Sequence, residues 1–144
     1  MVTTNSNFSS DAGLLVLRLG IGIIFLFHGV PKLLGGPETW GKLGLAMGNL
    51  GITFYPVFWG FMAAVAEGVG GFFLIIGFLV RPSAGMMTFT MIVATSMHYF
   101  KGDGFGKYSH SLSLAVVFLA LMIMGGGRWA LGAQIKFLEN RWYQ

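Results

Sequence analysis

Long apolar runs, broken by short polar or glycine-rich turns, set the pattern of this chain. A helix crossing the ~30 Å hydrocarbon layer of a bilayer needs about 20 mostly apolar residues, and four stretches meet that need fully or nearly. The first runs from about Ala12 to Leu34 and stops at Gly35-Gly36-Pro37. The second covers about Phe54 to Val80, before Arg81-Pro82; the third about Ser83 to Phe100; the fourth about Ser109 to Gly125. Residues 38–53 are too short and too rich in glycine to span, and predict a short helix on or dipping into the bilayer surface. The tail mixes Trp129, Ile135, Phe137, Leu138 and Trp142 with Lys136, Glu139 and Arg141, the composition of an amphipathic interfacial helix with tryptophan anchors. The predicted fold is all-α: one domain over residues 1–144, an integral membrane four-helix transmembrane bundle.

Composition agrees with that pattern. Hydrophobic residues make up 55% of the chain and charged residues 10%, whereas soluble domains carry about 25% charged residues. The mean hydropathy is +0.73. There is no cysteine, which removes thiolate catalysis, iron–sulfur ligation and disulfide exchange by this chain. The net charge of +4 comes from basic residues scattered singly, with no stripe to follow a phosphate backbone, so nucleic acid is excluded as a partner. The N-terminal residues lack the cationic start of a signal peptide, so the first run is expected to be a retained span. Four spans put both termini on one side. Arg81, Arg128, Lys136 and Arg141 then balance Lys32, Lys42, Lys101 and Lys107 across the membrane, and the charge rule assigns no orientation.

Ionisable groups at membrane depth are costly and turn inward toward partners. At helical spacing, Arg18, Ile21, Phe25, His28 and Lys32 share one face of the first span, and Gly60, Ala63, Glu67, Gly70 and Leu74 one face of the second. Ala84, Thr88, Met91, Thr95 and His98 line up on the third; His110, Ser113, Val117, Ala120 and Met124 line up on the fourth. By helix rise, Glu67 sits near the midplane with Arg18 roughly 7 Å away in depth, so an Arg18–Glu67 ion pair is expected. His28, His98 and His110 fall toward the opposite boundary, in one layer with Tyr55, Trp59, Tyr99 and Tyr108. The expectation is a pocket of imidazoles and aromatic rings above an Arg–Glu pair, with Met86, Met87 and Met91 as soft lining. Structural readings stay open beside it: an interhelical clamp for the ion pair, headgroup-level residues for His98 and His110, an aromatic belt for the tyrosines and Trp59. The histidines lie on separate helices without a local pair, and the chain is not read as a metal or haem site.

The motifs resemble those of the DoxX family of small four-span membrane proteins. RLGIGIIFLFHGVPKLLG is similar to the family's Arg-Leu-x-x-Gly start followed by Phe-x-x-His-Gly-x-x-Lys, and EGVGGFFLIIGFLVRPSA to its Glu-x-x-Gly-Gly-x-x-Leu-x-x-Gly block. LALMIMGGGRWALG resembles the closing Leu-x-x-x-Gly-x-Gly-Arg-x-Ser-Leu-Asp, with Ala130 in place of the serine and Gly132 in place of the aspartate. The resemblance implies a helical bundle of the cell (inner) membrane and membrane redox chemistry. DoxD relatives form the large subunit of a thiosulfate:quinone oxidoreductase, and other members are linked to oxidative-stress and thiol systems. The matched residues are Arg18, His28, Gly29, Lys32, Glu67, Gly70, Gly71, Arg81 and Arg128.

Two readings follow. In the first, the bundle is the quinone-interacting subunit of an oxidoreductase. His28, Lys32, Tyr55, Trp59, His98 and His110 then hold the ligand, and Glu67, Arg18 and His28 relay protons, imidazole titrating near neutrality. Electrons come from a soluble redox partner. In the second, the chain is a non-catalytic module that binds a lipid or small molecule or scaffolds a complex; a proton-coupled transporter is a further alternative. A lipid bilayer is the expected surrounding in each case, and assembly into a homo-oligomer stays open.

Overall fold

The computed structural model describes residues 4–135, with side chains from residue 8 onward. The described residues form helices joined by short turns: α1 Thr4–Leu34, α2 Gly36–Gly44, a 3-10 helix Leu45–Leu50, α3 Pro56–Ile76, α4 Val80–Phe100, α5 Phe105–Met124 and the single turn α6 Leu131–Gln134. The tail predicted as an amphipathic helix lies, from Lys136 on, outside the described residues. Among the described residues, three helices are long and apolar enough to cross a membrane: Phe8–Leu34, Pro56–Ile76 and Phe105–Met124. α4 has the length of α3 but carries Ser83, Thr88, Thr90, Thr95 and Ser96, and this polarity keeps it out of that set. Three candidate spans are established, where the sequence predicts four.

Several boundaries shift for local reasons. α1 begins eight residues before the apolar run, because a helix continues through polar residues once its apolar part is packed. α3 stops at Ile76 instead of Val80. Gly77 takes the left-handed conformation (φ 72°), and Gly77 N–H and Phe78 N–H donate to Leu74 O and Phe73 O, the bond pattern of a Schellman cap. α5 starts at Phe105 and absorbs part of the polar turn.

Glycine decides which helices touch. The broadest helix–helix contact is between α1 and α3. A Cβ added at Gly29 would stand 2.1 Å from Gly68 N, and one at Gly22 2.9 Å from Gly71 O. The two backbones therefore meet directly, as small residues allow in membrane helices. α2 docks on the start of α3 in the same way: a Cβ at Gly44 would lie 1.7 Å from Pro56 O, and one at Gly60 1.7 Å from Trp40 O. The side-chain core fills the remaining space, with Phe25 edge-on to Phe118 at 4.8 Å and Leu74, Val80, Met87 and Leu121 fully buried around them.

The buried side chains of α1 run Leu14, Arg18, Phe25, with Gly22 and Gly29 on the same stripe. That stripe passes one residue beyond His28, which is exposed. On α5 the buried set is Ser111, Ala115, Phe118 and Leu121, one position round from the predicted face, so His110 and Ser113 point outward. The polar residues of α4 are satisfied locally. Thr88, Thr90 and Thr95 donate to the carbonyls of Ala84, Met86 and Met91 four residues back, and the Thr95 hydroxyl lies 2.9 Å from Ser111 Oγ on α5.

Arg18 does not meet Glu67. It is buried at the other end of α3, where Nη1 donates to Leu74 O (3.3 Å) and Ile75 O (3.5 Å), and Nη2 to Trp129 O (2.9 Å). A cation there complements the negative end of the helix dipole. It also ties α1 and α3 to the loop after α5, where Gly132 N–H donates to Gly77 O and Arg128 N–H to Asp11. Ala130 is buried in this joint, close enough to Gly77 that a Cβ on the glycine would collide with it.

The α4–α5 turn is closed by His98, whose Nδ1–H donates to Asp103 Oδ2 at 2.7 Å, with Lys107 at 3.6 Å from Oδ1. The His98 hydrogen bond, then the charges of Lys107 and His98 and of Lys101, hold the Asp103 carboxyl below its ordinary value against a smaller effect of desolvation.

Two outcomes are expected of the purified protein in detergent, followed by thermal loss of helicity. Gly29→Ala should cost about 3 kcal/mol through forced helix separation, while Gly20→Ala, facing open space, should change stability by less than about 1 kcal/mol; equal effects would show that the seam is not close-packed. Because the Asp103 pKa is lowered on folding, its contribution is complete above the unfolded value of about 3.9 and is lost as pH falls through the lower folded one. Asp103→Asn should flatten that acid limb, and an unchanged limb would refute the assignment.

Candidate functional site

Lysine takes the place at Glu67 that the sequence reading gave to arginine. The seam sets Gly29 beside Gly68, so one turn further along α1 Lys32 comes level with Glu67. Lys32 Nζ donates to Glu67 Oε2 at 2.5 Å. Glu67 is almost fully enclosed, its side chain 5% exposed, while that of Lys32 is 30% exposed. The lysine is positioned from behind as well: Trp40 of α2 donates its indole N–H to Lys32 O at 2.9 Å, meeting a carbonyl near the C-terminal end of α1, and stacks edge-on against Phe61.

The pair opens onto a cavity of about 740 Å³ bounded by α2, the 3-10 helix, α3 and α4. Met47, Met62, Met86, Met91 and Met97 supply much of its wall, with Phe58, Phe89 and Trp59. Methionine is flexible and polarisable, and adapts to ligands of irregular shape. The cavity extends toward the end of α4, where His98 lines it; His98 lies seven residues beyond Met91, about 10 Å along the helix. Lys42 also lines this end and is paired with Glu38 on its own helix. The indole N–H of Trp59 is buried without a hydrogen-bond partner among the described residues.

Of the residues singled out in the sequence, Lys32, Glu67, Trp59 and His98 come together around this space. Arg18 belongs to the joint at the far end of α3. His28, Tyr55 and His110 are exposed and line no part of the cavity; Tyr55 instead borders a shallow outer hollow with Trp40 and Phe61. Met86 and Met91 line the cavity as expected, whereas Met87 is packed into the core. The wall formed by Leu43, Ala46 and Met47 escaped the sequence reading, since nothing in a 16-residue glycine-rich stretch marks which side faces inward. The backbone approach of Gly44 to Pro56 was the available signal, and it needs the partner helix to be read.

The pair can be tested as a unit. Removing one member leaves a buried charge unpaired, so Lys32→Met and Glu67→Leu are each expected to cost about 2–3 kcal/mol, the lower range because the lysine is partly exposed. The double variant should recover most of the loss. Additive losses in this cycle would show that the two side chains act independently.

The geometry can be set beside known proteins. The DoxX family model matches residues 13–100, from α1 through the end of α4. An inner membrane protein of Escherichia coli (strain K12), YphA, is 30% identical over 122 residues, which cover 79% of this chain and 84% of the relative. No solved structure matches the chain. The matched region holds the glycine seam, the Lys32–Glu67 pair and the cavity walls, and the chain belongs to the DoxX family of membrane proteins.

Proposed function

We propose that this chain is a multi-pass protein of the inner membrane whose cavity binds a lipophilic quinone, and that it serves as the quinone-interacting subunit of an oxidoreductase. The observation that carries the reading is the cavity itself: about 740 Å³ of mostly apolar space with one charged pair in its wall. Small-molecule sites are typically about 300–1,000 Å³, largely apolar, with a few placed polar groups. A quinone asks for a slot for a flat ring and an apolar tail, and for a donor at a carbonyl. Lys32 is that donor, held in position by its bond to Glu67. Trp59 and Phe58 flank the ring, and the methionines accommodate the tail.

α4 acts as a fourth span in this reading. Its threonines donate to their own helix, which removes their need for water, and Arg81 and His98 sit near its two ends, where the interface lies. Arg18 is a structural clasp, and His28, Tyr55 and His110 lie outside the site. The chain has no cysteine and carries none of the nucleotide-binding glycine motifs, so a partner protein or a diffusible reductant supplies electrons.

The test is binding of a short-chain benzoquinone to the protein in lipid nanodiscs, followed calorimetrically. Ala94→Trp, which fills the cavity from α4, is expected to weaken binding at least tenfold. Val116→Trp, on the exposed face of α5, should leave it unchanged. No saturable binding to the unmodified protein, or equal effects of the two variants, would overturn the reading.

A further inference from the structure

We infer that the cavity selects a ring-bound hydroxyl over a ring carbonyl, so that the reduced ligand, the quinol, is the form this site holds preferentially. The inference rests on the cavity reading above and adds a chemical class to it. Its basis is the arrangement of Lys32 and Glu67 at one point of the wall. A cation alone would present donors only and would suit a carbonyl. Here the donor and an acceptor stand side by side: Lys32 Nζ spends one bond on Glu67 Oε2, leaving it further donor capacity, and Glu67 keeps Oε1 as an acceptor.

A hydroxyl satisfies both. Its oxygen accepts from the ammonium while its proton goes to the carboxylate, and hydrogen bonds to ionised groups are the stronger kind. A carbonyl can meet only the ammonium, and it turns a second lone-pair-bearing oxygen toward an enclosed carboxylate that is only 5% exposed and has little water to replace the missing donor. Sites built to hydrogen-bond a hydroxyl reject analogues without it strongly, because the buried acceptor is left unpaired. The remaining lining offers no second donor–acceptor pair: the unpaired indole N–H of Trp59 is a donor only and cannot take a hydroxyl proton. The hydroxyl of Thr90 is committed to Met86 O. Lys42 is engaged by Glu38, and His98 is held by Asp103 roughly 10 Å along α4 from Met91. The assignment also covers simple alkylphenols, which share the hydroxyl and differ only in lacking the second oxygen.

Three ligands with one ring and one tail separate the possibilities: a short-chain benzoquinol kept anaerobic, its dimethyl ether, and the parent benzoquinone, each titrated into the protein in nanodiscs. The quinol is expected to bind about 10- to 100-fold more tightly than either of the others, the ether failing because it accepts but cannot donate. In Glu67→Gln the ratio of quinol to benzoquinone affinity should fall to within about threefold of unity, whatever the change in either affinity alone. The measurement on the unmodified protein stands even if that variant does not fold. Equal affinities for quinol and benzoquinone would overturn the selectivity while leaving the cavity reading in place, and tight binding of the ether would do the same. Absence of binding by all three would refute the cavity reading and this inference with it. An alkylphenol matching the quinol would support the hydroxyl rule and attribute nothing to the second ring oxygen.

Discussion

Backbone contact between α1 and α3 governs the molecule. In lipid there is no hydrophobic gain from bringing two apolar helices together, so association depends on how closely they pack. Gly22 and Gly29 against Gly68 and Gly71 remove the side chains that would hold the axes apart. The close approach also fixes relative sliding, because glycine faces glycine at only one offset. That offset delivers Lys32 to Glu67 and Arg18 to the last carbonyls of α3. Three of the chain's most costly residues are thus given partners by a register that none of them sets.

The same logic explains what could be read from the sequence. Apolar length located the helices, and the charged positions flagged Arg18, Lys32 and Glu67 as inward-facing, which burial bears out for each to its own degree. Pairing was the harder inference. Depth estimated from helix ends placed Glu67 within reach of Arg18, but the glycine seam sets the offset: Gly29 stands beside Gly68, which brings Glu67 to Lys32 and leaves Arg18 at Leu74 and Ile75. Polar residues were also poor markers of the contact faces of α1 and α5. The buried line on α1 follows glycine, passes through Gly29 and leaves its neighbour His28 outside; on α5 it follows Ser111 and Ala115 and turns His110 away. In a membrane helix the small residue, rather than the polar one, marks where another helix lies. Helix α4 shows the complementary case, since its hydroxyl groups look like an interior polar stripe yet largely bond to their own backbone.

Membership of the DoxX family gives the chain a setting, and the structure gives its motif residues distinct tasks. Arg18, midway along α1, is a clasp: it closes the end of α3 and gathers the loop that follows α5. The glycines after the motif glutamate are contact surface. The lysine at the end of the first motif and the glutamate opening the second form the polar point of a cavity walled by methionine. The α2 segment, part of the stretch predicted as a short helix on or dipping into the bilayer surface, is built into α3 through Gly44 and Gly60 and forms a wall of that cavity. Its tryptophan reaches back to the helix end that carries the lysine.

The neutrality of the Lys32–Glu67 pair matters in an energised bilayer. A unit charge moved across the membrane exchanges about 2.3 kcal/mol with every 100 mV of potential, so a lone ammonium at that depth would feel the field as a steady pull. Opposite charges held 2.5 Å apart experience almost cancelling forces. An uncharged guest bound beside them would move no net charge through the field, and its occupancy would be the same in a polarised membrane as in one at rest.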